Sequence, residues 1–336
     1  MGICISAESS VIHGAPEEAR DENVTVFKAS NVLSGSEGLC SVYSKQGSKG
    51  LNQDAATLCQ DYGTEDAAFC GVFDGHGRNG HMVSKIVNTR LSSLILNQKN
   101  PNVKVDTVED DWGSNRNFKE WKEAITCAFG VMDKEVKLQE NIDSSCSGTT
   151  AVVVIKQGED LVIANLGDSR AVLGTVSDGE IIPIQLTTDM KPGLPREADR
   201  IRSCNGRVFA LREEPHIQRV WLPNENSPGL AMSRAFGDFM LKEHGIIATP
   251  DISHHALTSS DQFVVLASDG VWDVLSNGEV SSIVWKADTE KDAARAVVDA
   301  ATATWKRKYP SSKADDCTVI CLFLKKKPLH VVGLTG

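Results

Sequence analysis

Five segments of this chain place an aspartate at the end of a strand-like run, and in four of them the apolar strand leads directly into or out of the acid. "KGLNQD" ends on Asp54, "GVFDGHG" reaches Asp74, "LVIANLGDSR" carries Asp168, "VVLASDGVWD" carries Asp269 and Asp273, and "KADDCTVICLFL" opens on Asp315 and Asp316. One such acid is ordinarily a cap or a turn, since Asp-Gly is a common turn dipeptide. Repetition constrains the fold much more. Half-buried carboxylates cost several kcal/mol unless they are paired or bound to cations. A chain that repeats the arrangement is therefore expected to bring the acids to one rim and to supply positive charge there. Asp74, Asp269 and Asp315 have few cationic neighbours in sequence, and no Cys-x-x-Cys or paired His accompanies them. Oxygen-only ligation points to Mg²⁺ or Mn²⁺ rather than zinc. The glycines after Asp74 and Asp269 let backbone carbonyls approach an ion closely.

The strands delivering these acids are read at 151–155, 161–166, 171–174, 263–268 and 318–324. Short polar links, "KQGED" and "GDSR", make the first three antiparallel neighbours. Helical spacing runs through Met82, Val83, Ile86, Val87, Leu91, Leu94 and Ile95, then through Phe118, Trp121, Ile125, Phe129, Met132 and Val136, and again through Ala293, Ala296, Val297 and Ala300. Hairpins interrupted by long amphipathic helices predict an α+β layered fold, with helices covering antiparallel sheets. A doubly wound parallel fold would alternate strand and helix regularly, and this chain does not.

Residues 1–36 lack periodicity and read as a mobile tail, 37–326 as one catalytic-size domain without an internal linker, and 327–336 as a C-terminal tail. The formal charge of −10 argues against a nucleic-acid surface. No run approaches the roughly 18 apolar residues of a membrane span. The nine cysteines are scattered, several inside apolar runs, and read as reduced residues of a cytosolic or nuclear protein. No Cys-x5-Arg loop is present, so a thiolate nucleophile is not expected. The opening "MGICIS" matches the Met-Gly-x-x-x-Ser myristoylation pattern at Gly2 and Ser6, with Cys4 available for palmitate. One myristoyl chain binds membranes only marginally, so Cys4 would be the second signal for plasma-membrane attachment.

The segments "DGHG", "SGTTAVVVI", "NLGDSRAVL", "LTTDMKP", "LAMSRAFGD", "ATPDI", "ASDGVWDVL" and "DDCTVICL", in this order, resemble the metal-dependent serine/threonine protein phosphatase 2C family over roughly residues 38–325. "KGLNQD" and the "VWLP" segment resemble its plant branch. The resemblance implies two central antiparallel β-sheets packed face to face and flanked by helices. It also implies hydrolysis of phosphoserine and phosphothreonine by water or hydroxide bridging two Mg²⁺ or Mn²⁺ ions. Carried over by position, Asp74 would bridge the ions, the Gly75 carbonyl would bind one, and Asp269 and Asp315 would complete the second ion's shell. Asp54 would act through waters, Asp168 and Asp273 would hold a weaker third ion, and His76 would be the general acid.

Lys49 stands where the family often has an arginine gripping substrate phosphate, and it offers a point charge instead of a bidentate fork. Gln53 replaces an acid common before Asp54. In "DDC" the aligned ligand is Asp315, and a one-residue slip would exchange it with Asp316. Arg234 reads as structural, paired with an acid such as Asp238; Trp272, Trp285 and Trp305 read as core, and His254 and His255 as an exposed loop. Expected partners are phosphoserine and phosphothreonine proteins, signalling kinases among them, met by a monomer. A weakly catalytic phosphoprotein-binding module on the same fold would lose a metal-ligating acid, and none is lost. A small-molecule phosphomonoesterase remains the other alternative.

Overall fold

The computed structural model describes residues 23–27, 40–99 and 114–325. Gly2 and Cys4, and nearly all of both tails, lie outside the described residues.

Two sheets face each other. The first runs in the order β1 (Val24–Phe27), β3 (Asp54–Gln60), β4 (Ala68–His76), β6 (Ala151–Gln157), β7 (Asp160–Leu166) and β13 (Asp251–Ala256), with β5 (Gly148–Thr149) and β12 (Phe236–Gly237) branching from β4. The second runs β2 (Cys40–Lys45), β15 (Cys317–Phe323), β14 (Asp261–Ala267), β8 (Arg170–Ser177) and β9 (Glu180–Gln185). Each sheet buries both faces. Alternate residues such as Val72, Val154, Leu173, Leu266 and Ile320 fill the layer between the sheets. The intervening ones, Phe69, Phe73, Val153 and Ile155, lie under α1 (Gly80–Gln98) and α2 (Ser114–Lys137). Across the sandwich, Phe263, Val265 and Val319 lie under α6 (Asn277–Lys286) and α7 (Ala293–Lys308). A strand buried on both faces reads as a continuous apolar run instead of an alternating one, which is why "AVVVI" carries no polar phase.

Between β9 and β13 the chain forms a smaller unit. It contains α3 (Pro195–Ser203), the hairpin β10 (Arg207–Ala210) to β11 (Gln218–Trp221) and α4 (Phe239–Lys242), packed around Ile201, Val220, Leu222 and Ile246. The four-residue α5 (Asp269–Trp272) follows β14. α6 is closed at its start by a reciprocal box in which Ser276 accepts from the Glu279 amide and Glu279 accepts from that of Ser276.

The expected architecture is present, with corrections. "KQGED" makes the hairpin β6–β7, but "GDSR" does not make β7 and β8 neighbours; there the chain crosses from one sheet to the other. A short polar link suits either path. Val24–Phe27, read as part of a tail, pairs parallel with β3, so the first sheet is not wholly antiparallel. His254 and His255 lie on β13, not in a loop, and each meets a carboxylate, Asp160 at 2.6 Å and Asp261 at 3.2 Å. Trp272 is buried, while Trp285 and Trp305 are half-buried against the same core. Among the described cysteines, Cys59, Cys70, Cys317 and Cys321 are buried and Cys127, Cys146 and Cys204 are exposed.

Candidate active site

Antiparallel pairing gathers the acids. The end of β14 at Ala267 lies opposite Val319 on β15 and Arg170 on β8. The residues beyond these points, Asp269, Asp315 and Asp168, therefore emerge at one end of the sandwich. In the facing sheet Asp54 and Asp74 are direct cross-strand partners. Like charges placed opposite one another repel, so this register is held by its surroundings. The Asp74 amide donates to Thr150 Oγ1 at 3.0 Å and the Thr150 amide donates to the Asp74 carbonyl at 2.9 Å. The Ser268 hydroxyl donates to Asp54 Oδ2 at 2.7 Å.

Electrostatics registers the crowding. Burial pushes Asp54 up to about 7 against the Ser268 hydrogen bond, with Asp316 and Asp315 adding to it. Burial, then Asp269, Asp54, Asp315 and Asp168, holds Asp74 well above the usual carboxylate range. Burial, then Asp168, Asp273 and Asp315, does the same to Asp269. Asp273 is raised by burial although Lys191 opposes it. Such a set is stable as carboxylates only with cations among them.

Two ammonium groups are already there. Lys49 bonds Asp315, and Lys191, unremarked within "LTTDMKP", bonds Asp168. Burial lowers the affinity of Lys191 for its proton, but Asp168 and Asp269 outweigh it and raise its pKa. Among the described residues no three carboxylate, imidazole or thiol groups form a ready-made coordination shell. The donor set nevertheless fits hard divalent cations. It is all oxygen: Asp54 and Asp168 are buried and Asp74, Asp269 and Asp315 half-buried, and Asp168 Oδ1 is buried with no hydrogen-bond partner among the described residues. Gly75 is obligatory for this packing, since a Cβ there would come within 2.5 Å of the Gly80 carbonyl oxygen and 2.6 Å of that of Gln53.

The two neighbouring acids of "DDC" separate by role. Asp316 accepts the backbone amides of Gly47 at 2.7 Å and Gln53 at 2.8 Å, one on each oxygen, and so ties down the segment carrying Lys49. Asp315 faces Lys49 and raises Asp74 and Asp269 through its charge.

Arg234 does not meet Asp238. It forks onto Glu197 at 2.9 and 2.7 Å, and Arg200 and Ser233 close on the same carboxylate at 2.7 and 2.6 Å. Glu197 sits 37 positions before Arg234, a separation without periodicity to announce the pair. Asp238 instead lies 2.6 Å from His76 Nε2. Burial disfavours the charged imidazole of His76, but Asp238 prevails and raises its pKa.

Residues 39–307 match the family model described as protein phosphatase 2C. The chain is 54% identical over 334 residues to the Arabidopsis thaliana protein named Probable protein phosphatase 2C 72, covering 97% of this chain and 99% of that one. It is 46% identical over 366 residues to Probable protein phosphatase 2C 12 of Oryza sativa subsp. japonica, covering 99% and 93%. Among solved structures, a serine-threonine phosphatase 2C from Toxoplasma gondii superposes with a TM-score of 0.72 at 25% identity, over 85% of this chain and 94% of that one.

Proposed function

From a chain that belongs to the protein phosphatase 2C family and is a serine/threonine protein phosphatase, we propose the following division of labour at the acidic rim. The family is metal-dependent. Asp74, the Gly75 carbonyl, Asp269 and Asp315 hold two divalent cations, Mg²⁺ or Mn²⁺; Asp54 supports them from behind, and Asp168 and Asp273 hold a weaker third. The observation that carries this reading is the convergence of Asp54 and Asp74, direct cross-strand partners, with Asp269 and Asp168 at one end of the sandwich, where burial and the neighbouring acids raise the pKa values of Asp54, Asp74 and Asp269. Such cations, when bound, supply a water of lowered pKa and neutralise phosphoryl oxygens.

The remaining work falls to side chains. Lys49, exposed at the lip, exchanges Asp315 for the phosphate dianion and draws it toward the acids. His76 gives a proton to the serine or threonine oxygen as it leaves, a contribution of about 10²–10⁴-fold. Asp316 keeps the Gly47–Gln53 segment in register. The substrates are phosphoproteins, signalling kinases among them, and the enzyme acts as a monomer in cytoplasm or nucleus. Acylation at Gly2 and Cys4 directs a fraction to the plasma membrane, and a Gly2→Ala protein with an unchanged membrane fraction would refute that part.

The test is phosphate release from a phosphothreonine peptide with Mg²⁺ or Mn²⁺ added, with chelator, and with an okadaic-acid-type inhibitor. Release that requires the cation and ignores the inhibitor supports the reading. Undiminished release after complete chelation overturns it.

A further inference from the structure

Two large apolar side chains are left exposed at the lip of the acidic rim, Leu51 at 69% and Met240 at 46%. A single exposed apolar residue is ordinary on a protein surface. These two differ in how firmly they are held there. Leu51 stands two residues after Lys49, between β2 and β3. The Gly47 and Gln53 amides donate to the Asp316 carboxylate at 2.7 and 2.8 Å. Ser48 donates its amide to the Ala314 carbonyl at 2.9 Å, and the Ala314 amide returns a bond to Ser48 Oγ at 2.8 Å. Asn52 Nδ2 donates to Ser44 Oγ at 2.9 Å. Met240 lies in α4, two residues after Asp238, the partner of His76. Its amide donates to the Ser145 carbonyl at 3.0 Å, and its sulfur accepts the Cys146 thiol at 3.2 Å. Neither side chain belongs to an apolar core of the described residues.

The two banks meet at the turn after His76. Gln53 Nε2 donates to the Gly77 carbonyl at 2.9 Å. On its other side Gly77, with φ of 79°, packs against the 146–147 segment; a Cβ there would collide with the Cys146 carbonyl oxygen and come within 2.8 Å of Ser147 Cα. The contacts therefore run from the Leu51 segment through Gly77 to Cys146 and Met240, with the turn between the two apolar side chains. We infer that Leu51 and Met240 are specificity-determining residues, which take apolar side chains on either side of the phosphorylated residue in an extended protein segment. The inference deepens the phosphatase reading and rests on it, because Lys49 and His76 mark where the phosphate sits. Both apolar groups are carried on backbone that is already fixed, so covering them orders little else. Their removal is expected to act on KM, as loss of an interaction made equally in the ground and transition states.

The test compares kcat/KM at saturating Mn²⁺ on three phosphothreonine peptides that differ only in the two residues on each side of the phosphothreonine, which are leucine, serine or lysine. Wild type is expected to favour leucine flanks over serine flanks by about tenfold or more. Leu51→Ser and Met240→Ser should each lower that ratio by about threefold, through KM, and the double variant should bring it within about twofold of unity. Both side chains are exposed, so neither substitution removes core packing. Equal rates on the three peptides, or a preference for the lysine flanks that a chain of net charge −10 would attract, overturn the inference and leave the phosphatase reading standing. A leucine preference that survives in the double variant overturns it as well. If no peptide releases phosphate in a cation-dependent way, the phosphatase reading fails first and the inference falls with it. The flank preference is read on the unaltered protein, so it decides the matter even where a variant does not fold.

Discussion

Replacing Glu197 with Gln tests the electrostatic account at a carboxylate outside the proposed metal-ligand set. Glu197 is 3% exposed, and its carboxylate receives Arg234, Arg200 and Ser233 together. Burial alone would push its pKa up, but the hydrogen bonds from Arg234, Arg200 and Ser233 prevail and hold it at about 2, from 4.5. The difference is about 2.5 units, or about 3 kcal/mol at neutral pH. Because the folded pKa lies below the unfolded one, this stabilisation is complete above about pH 4.5 and disappears as pH falls through about 2. At pH 3 roughly 1.4 kcal/mol of it should remain. The assay is urea unfolding of wild type and Glu197→Gln at pH 7 and pH 3, and the quantity read is the difference between the two proteins. The gap should be about 3 kcal/mol at pH 7 and about half that at pH 3. A gap that does not shrink with acid would refute the reasoning, because the loss would then come from packing and not from the carboxylate charge.

Chelation should lower thermal stability as well as activity, since the acids repel once cations leave. At a cation concentration 100-fold above Kd the linkage is about 2.7 kcal/mol, or roughly 5 °C in Tm for a chain of this size; an unchanged Tm with abolished activity contradicts the convergence of the acids. Asp315→Asn should weaken Mn²⁺ binding seen by calorimetry, whereas Asp316→Asn should leave it within about threefold, because Asp316 serves the Gly47 and Gln53 amides. The reverse order would mean that the two roles are exchanged. Gly75→Ala, which forces a Cβ against two carbonyl oxygens, should cost more than about 2 kcal/mol of stability by urea unfolding, and a neutral result would mean that the β4 end is looser than described.

The acids and the long helices were legible for physical reasons, and so were the errors. Asp74 and Asp269 stand at the ends of apolar strands, where local pattern and tertiary placement agree. α1, α2 and α7 carry an apolar stripe that any helix must bury. Links and partners behave differently. "GDSR" has the length of a hairpin turn yet crosses between sheets, because burial on both faces of each sheet decides the path and the link does not. Arg234 found Glu197 instead of the nearby Asp238 because α3, folded into a separate small core, brings a buried carboxylate within reach. His254 and His255 read as an exposed loop in the sequence, but β13 is an edge strand and each histidine has an acid beside it. Lys191 gave no local sign of its reach to Asp168.

The central claim is that the aspartates gathered at one end of the sandwich bind the cations on which phosphate release depends. It is tested most directly by release of phosphate from a phosphothreonine peptide as Mn²⁺ is titrated into wild type and into Asp74→Asn. The account predicts saturable activation of wild type from a chelated baseline near zero, and no activation of Asp74→Asn at any Mn²⁺ concentration. Full release by the chelated wild type, or activation of Asp74→Asn to the wild-type rate, would contradict it.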